Sequence, residues 1–328
     1  MSSAFVTGGS GFIGGRLVRR LVSDGWRVRA LARSARSATT IRGLGAEPVT
    51  GDLDDIDSMV AGAESCDLAF HLAAHLGQWG TREEFERGNV LGTRNAMEGC
   101  ERAGVRRFVH CSTEAVLLAG DPLVNVDESA PRRPDSPALY SATKALAESA
   151  VVDADRDGFE TVVLRPRLVW GAGDTTLLPQ ILEAVNAGRF RWIGGGGHLT
   201  STTHVDNVVE GLMLTAERGQ HGQVYFVTDG DPVVFREFVS GLITSQGVPP
   251  PDGSLPEWAA RAGAAVAETA WRVLPLKGEP PLTRLAVWLS AHECTINIAK
   301  ARRELGYEPI RSRAQGFAEL TDGGPAAA

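Results

Sequence analysis

Residues 7–14 read TGGSGFIG, and what lies on either side decides how they are read. Before them, Ala4–Thr7 is a short apolar stretch suited to a buried strand. After them, Phe12, Ile13, Leu17, Leu21 and Val22 recur at helical spacing. Gly8, Gly11 and Gly14 therefore sit in the strand–turn–helix context that a dinucleotide-binding loop requires. Such a turn needs a positive φ and a backbone that can approach a pyrophosphate closely. The following helix N-terminus adds its positive dipole end. Gly8, Ser10, Gly11, Phe12, Ile13 and Gly14 are the candidate cofactor contacts here.

Outward from that loop, strand-like and helical segments alternate. Arg27–Ala32, Leu68–Leu72, Arg107–Cys111 and Thr161–Arg165 read as short buried strands, with helical patterns between them, as at Val90, Ala96, Met97 and Cys100. This predicts right-handed βαβ units and an α/β fold of Rossmann type, a doubly wound parallel sheet with a smaller C-terminal substrate lobe. The expected division is a dinucleotide-binding domain over 1–170, completed by segments near 199–228, and a mainly substrate-binding lobe over 171–328. Beyond residue 170 the alternation weakens, leaving helices around Val205–Thr215, Phe235–Ser245 and Glu257–Leu274 and a strand at Val224–Thr228 that returns to the main sheet. The tail GGPAAA is expected to be disordered.

Bulk properties narrow the classes. A net charge of −7 and a pI near 5.6 argue against a nucleic-acid partner. Four scattered cysteines without a CxxC pair fit a reducing compartment, and no stretch approaches the length of a membrane span. With no basic, apolar leader at the N-terminus, the cytoplasm is the expected location. Histidines and carboxylates nowhere fall at metal-ligand spacing, so no metal is expected. His75 and His204 read as structural hydrogen-bonders.

The second strand ends VRALARS. An acid there would hold a ribose 2′-hydroxyl, whereas Arg33, with Arg36 close behind, suits a 2′-phosphate through charge-assisted bonds. NADP(H) is favoured over NAD(H).

One lysine is conspicuous. The chain has 33 lysines and arginines, of which only Lys144, Lys277 and Lys300 are lysines, and Lys144 closes the segment YSATK at 140–144. With TGGSGFIG, GDL at 51–53, HLAA at 71–74, GNVLGTRN at 88–95, HCSTEAV at 110–116 and LRP at 164–166, this segment resembles the extended short-chain dehydrogenase/reductase family over nearly the whole chain. The resemblance implies that Tyr140 is the general acid/base for hydride transfer and that Thr113 is the hydroxyl that binds the substrate oxygen, with Ser112 beside it as competitor. It implies cofactor contacts from Asp52, Leu53, Ala73, Ala74, Asn89 and Pro166, as well as from Tyr140 and Lys144. A phenol has a pKa near 10, and lowering it by roughly three units takes about 4 kcal/mol. A lysine one turn away and an oxidised nicotinamide provide that field together, and a compact ammonium meets ribose hydroxyls in a way that a planar guanidinium does not.

Within the family, LRPRLVWG carries Leu168 where sugar-nucleotide enzymes place an Asn, and TSTTHVDNV lacks their preceding Arg. THVDNVVEGLMLTAERG, GQVYFVTDGDPVVFREF, LKGEPPLTR and INIAKARRELGYEP instead resemble the 3β-hydroxysteroid and sterol dehydrogenase branch, including reductases of long-chain β-keto acids. Trp170, Trp192, Trp258, Trp271 and Trp288 fall in the substrate half and suit a small hydrophobic substrate. A helix over Trp258–Leu274 could turn one face, with Trp258, Ala262, Ala265, Val266, Ala270 and Val273, to the pocket, a second subunit, a membrane surface or the core. The resemblance also implies a homodimer. Two alternatives stay open: a redox-neutral epimerase or dehydratase of a sugar nucleotide, and a non-catalytic NADP-sensing protein. The first lacks its diphosphate handles here, and proteins of the second kind commonly lose the YxxxK pair.

Overall fold

The computed structural model describes residues 2–274 and 276–322, so the GGPAAA tail lies outside the described residues. Strands β1 (Ser3–Thr7), β2 (Arg27–Ala32), β3 (Glu47–Thr50), β4 (Leu68–His71) and β5 (Arg107–Cys111) join the strands Glu160–Pro166 and Val224–Val227 in one seven-stranded sheet. From one edge the order is Val224–Val227, Glu160–Pro166, β5, β4, β1, β2, β3, and every pairing is parallel. β3 is too short and mixed (EPVT) to have been read from periodicity.

Alternation along the strands builds two cores. In β1, Ala4 and Val6 face the helix Phe12–Ser23 (α1) and the helix Val205–Arg218, packing with Leu17, Leu21, Val208 and Leu212. Phe5 points the other way, onto Met59, Ala96, Met97 and Cys100. Phe5, Phe70 and Phe108 are fully buried, and each such side chain contributes about 1.5–3 kcal/mol of transfer free energy.

Register sets the site. Thr7 pairs with His71, His71 with His110, and Cys111 with Leu164. The strands thus end on one rim, and chain order reverses between β1 and β4, where ligands bind in open α/β sheets.

The second half adds a core of Trp170, Leu178, Trp192, Phe235, Phe238 and Leu242. Trp170 and Trp192 are interior packing, and Trp288 alone of the five tryptophans packs with Tyr140, alongside Leu118 and Leu285. The helix Glu257–Val273 buries Ala260, Ala264 and Glu268, while Trp258, Val266 and Val273 are at least 70% exposed. The bulky apolar positions therefore face outward, because small alanines let the helix sit close to Val287 of the helix Arg284–Ala291. Among the described residues no helix is long and apolar enough to cross a membrane.

Candidate active site

The glycine loop folds back on the rim. Gly8 has φ +74°, and a Cβ there would lie 2.8 Å from the Ala73 nitrogen; one on Gly14 would lie 2.1 Å from the Gly8 carbonyl oxygen. Leu72 and Ala73, just past β4, thus border the loop because nothing larger than hydrogen fits between them and Gly8, and Ala74 follows half-buried. Helix α1 starts at Phe12 with Gly11 as its N-cap, no side-chain cap and no acid in its first turn. Its leading N–H groups, on Phe12, Ile13 and Gly14, have no intrahelical acceptor, as a phosphate cradle needs. Ser10 and Gly11 are exposed at its mouth.

Beyond β2, Ser34 accepts from the Ser37 N–H and closes a capping box on its own helix. Arg33 and Arg36 stay exposed beside it. Asp52 and Leu53 are half-buried after β3; the Leu53 carbonyl accepts from Asn95 Nδ2 at 2.8 Å. Pro166 is buried at the end of its strand.

Tyr140 and Lys144 lie in the first turns of the helix Leu139–Asp153. Lys144 is 3% exposed, and its Nζ donates to the Cys111 carbonyl at 3.2 Å. Burial lowers its pKa, opposed by Cys111 and the Glu148 carboxylate, and among the described residues no carboxylate lies in ion-pair contact with it. Its charge reaches the stacked rings of His71 and His110 beneath it. Burial, with that charge, holds His71 neutral down to about 3 and pushes His110 well below its ordinary value. The Tyr140 phenol is pushed up, first by burial and then by the Glu114 carboxylate and Cys111; a hydrogen bond with Thr113 opposes them.

The two hydroxyls after β5 have different partners. Ser112 Oγ donates to Glu148 Oε2 at 2.6 Å, and Glu148, fully buried, forms a two-pronged pair with Arg165. Thr113 Oγ1 donates to Glu114 Oε2 at 2.7 Å and accepts from the Ala115 N–H at 3.2 Å, capping the short turn Glu114–Leu117. Glu114 is paired in turn with Arg167, and both are buried. The turn that Thr113 caps carries Ala115, and Ala115 and Leu118 pack with Tyr140.

Asn89 is 1% exposed inside a π-helical turn, Glu86–Leu91. Such turns often mark functional sites. Its Oδ1 accepts from the His75 N–H at 2.8 Å and its Nδ2 donates to Thr143 Oγ1 at 3.0 Å. It clamps the loop after β4 to the tyrosine helix, while the His75 ring packs edge-on against Phe85.

Sequence reasoning missed Glu114, Arg167, Glu148 and Arg165, although Glu148 follows Lys144 by one helical turn, a signal that could have been used. It also missed that His204, Asp206 and Glu319 bring ligand atoms within 4.8 Å of one another. Glu319 is remote in sequence, so spacing could not reveal it. Two arginines already hold these acids: Arg16 Nη2 lies 2.7 Å from Glu319, and Arg311 contacts Asp206 with two nitrogens. That arrangement disfavours a cation.

Fold and site together are those of an extended short-chain dehydrogenase/reductase, an enzyme of the class acting on CH–OH groups. The chain belongs to the 3-beta hydroxysteroid dehydrogenase/isomerase family, whose pattern matches residues 5–257. It is 48% identical over 322 residues to the 4-hydroxy-2-methyl-3-oxo-4-farnesyl-3,4-dihydroquinoline-1-oxide ketoreductase of Stigmatella aurantiaca, covering 98% of this chain and 96% of that one. It is 36% identical to a 2-alkyl-3-oxoalkanoate reductase of Stenotrophomonas maltophilia, covering 96% and 97%. Among solved structures, MoeE5 in complex with UDP-glucose and NAD superposes with a TM-score of 0.74 at 26% identity, covering 98% of both chains.

Proposed function

We propose that this protein is an NADP(H)-dependent oxidoreductase that interconverts a hydrophobic ketone and its secondary alcohol. The observation that carries the proposal is Lys144, buried one helical turn from Tyr140, with its Nζ donating to the Cys111 carbonyl at the strand ends where the glycine loop folds back. Thr113, with Ser112 as the weaker candidate, positions the substrate oxygen against Tyr140. Tyr140 gives that oxygen a proton in reduction and takes it back in oxidation. Lys144 stabilises the phenolate left behind and meets the ribose hydroxyls. When bound, the nicotinamide cofactor supplies or accepts the hydride at the carbonyl carbon.

The cradle of Gly8, Gly11 and Gly14 and the uncapped start of α1 fit a pyrophosphate, with Asp52, Leu53, Ala73, Ala74 and Pro166 along the cofactor's path. Arg33, exposed at the end of β2, favours the 2′-phosphate. On this reading residues 1–170, completed near 199–228, bind cofactor, and 171–328 mainly form the substrate lobe. The apolar flank of Tyr140, formed by Leu118, Leu285 and Trp288, suits the alkyl-bearing ketones named for the two bacterial reductases. Leu168 stands in the left-handed region at φ +40° and packs with the apolar core of the second half, where a diphosphate would find no partner.

We also propose a cytoplasmic homodimer. Supporting it are four free thiols, and exposed Leu91 and Leu146 near the two helices that carry the site. The test of function is nicotinamide absorbance with long-chain β-keto acids and 3-ketosteroids. Tyr140→Phe should lose at least about 100-fold in turnover, and full activity in that variant would sink the mechanism.

A further inference from the structure

The loop that follows β4 is fixed at both ends. At its start the His75 N–H donates to Asn89 Oδ1 at 2.8 Å, and at its end Thr81 and Glu84 close a capping box on the helix Arg82–Phe85. Between those anchors, Gly77 at φ +149° and Gly80 at φ +156° bracket Gln78 and Trp79. Residues with side chains rarely adopt such conformations, so Gln78 and Trp79 stand on two glycine hinges. Facing them is the helix Glu257–Val273, whose Arg272 guanidinium carbon lies over the Trp79 ring, 5.5 Å from its centroid. Thr283 Oγ1 adds a hydrogen bond to Gln78 Oε1 at 2.7 Å. Glu268, one turn before Arg272, is spaced for an ion pair with it. Its carboxylate instead accepts from the Arg284 N–H at 2.7 Å and lies 3.3 Å from Arg284 Nε. Among the described residues, the indole is therefore the one partner of the Arg272 guanidinium.

Gln78, Trp79, Ala138, Leu139, Arg272 and Leu285 wall a cavity between these two segments. Leu285 belongs to the apolar cluster on which Ala138 and Tyr140 pack, so the cavity borders the flank of the tyrosine. As folded, it has room for about one water molecule, about 10 Å³. A pocket that takes a small-molecule ligand holds roughly 300–1,000 Å³. An alkyl-bearing ketone passes here only when a wall moves. We propose that Trp79, held by Arg272, is a specificity-determining residue at the entrance to Tyr140: the apolar part of the ketone enters by drawing the indole away from the guanidinium and lies against Leu285. The inference rests on the oxidoreductase reading above and adds where the substrate crosses into the site. The walls differ in how firmly they are tied. Asn89 is 1% exposed and bonds both the start of the loop and the tyrosine helix. Trp79 is held by one cation–π contact with an exposed arginine and, through Gln78, by one hydrogen bond, ties that break readily. Bulk at position 79 then sets how wide a ketone can pass.

Two variants test this in the full chain with reduced nicotinamide cofactor. The ratio of kcat/KM for 2-dodecanone over that for acetophenone should rise about tenfold in Trp79→Ala and about threefold in Arg272→Gln, mainly through KM. Val266→Ala, on the outward face of the same helix, should leave that ratio where it is. A second readout needs no turnover. The neutral fluorophore N-phenyl-1-naphthylamine, in the portion that 2-dodecanone displaces, should enter Trp79→Ala about tenfold faster on stopped-flow mixing. Should Trp79→Ala fail to fold, Arg272→Gln carries both measurements, with about a threefold gain in each. An unchanged ratio together with an unchanged entry rate in the folded variants overturns the proposal, and so does an equal change in Val266→Ala. A parent protein that reduces no ketone, while the Trp79 variant still admits the fluorophore faster, would instead fault the oxidoreductase reading and leave the entrance standing.

Discussion

Two adjacent hydroxyls leave the end of β5, and each hands its proton to a buried glutamate that faces an arginine. Ser112, Glu148 and Arg165 make one chain, and Thr113, Glu114 and Arg167 make the other. Their surroundings differ. Glu148 is gripped by two nitrogens, Nε and Nη2, of an arginine that also stacks on Phe226, and Arg132 lies 3.5 Å from it. That chain locks the tyrosine helix to the strand Glu160–Pro166. Glu114 instead opens the short turn Glu114–Leu117, whose Ala115 packs with Tyr140. A hydroxyl, a glutamate and an arginine thus recur twice, once as a clamp inside the sheet and once at its rim beside the tyrosine helix.

The comparison breaks first at Arg165. Arg165→Met strands a buried carboxylate and should lower unfolding free energy by about 3–5 kcal/mol, read by chemical denaturation. A loss below about 1 kcal/mol would mean that the chain is no clamp. Next come the hydroxyls themselves. Thr113→Val should cut kcat/KM about 100-fold, some 2.7 kcal/mol, with stability changed by only about 1 kcal/mol. Ser112→Ala should act on stability, by about 1–2 kcal/mol, rather than on turnover. If the serine variant were the inactive one, the two assignments would be exchanged.

Acid sharpens the same division. His71 lies under Lys144 with a folded pKa of about 3 against 6.5 unfolded. Between those values the unfolded chain binds the extra proton, so stability is whole above pH 6.5 and is lost as pH falls. The slope is up to about 1.4 kcal/mol per unit for this residue, with His110 adding to it. Thermal unfolding from pH 7 down to 4 checks this, and a flat midpoint would contradict a buried neutral pair. The smallest effect lies outside both chains. Arg33→Ala should leave the fold alone and reduce the preference for the phosphorylated cofactor about tenfold, measured as a ratio of kcat/KM values.

Legibility followed range. The glycine loop was readable because its demands are local: a positive φ at Gly8 and no room for a Cβ at Gly14 are met by residues a few positions apart. The lysine of YSATK stood out because one helical turn separates it from its tyrosine. The helix Glu257–Val273 was readable as a helix, yet what its apolar face would meet stayed open. Spacing shows which residues share a face, but only the neighbouring helix shows which face is covered.

By itself, then, the sequence determined the order of strands and helices, the cofactor loop and the Tyr140–Lys144 pair, all set by contacts within one or two turns of chain. The tertiary structure alone decided which buried glutamate each hydroxyl donates to and which arginine holds that glutamate. That choice depends on groups from separate elements: Glu148 accepts from Ser112 and is held by Arg165, and Arg167 holds Glu114, across 17 to 53 residues of sequence. Bonds closed over such distances leave no periodicity behind, because their geometry exists only once the sheet has brought the strand ends together.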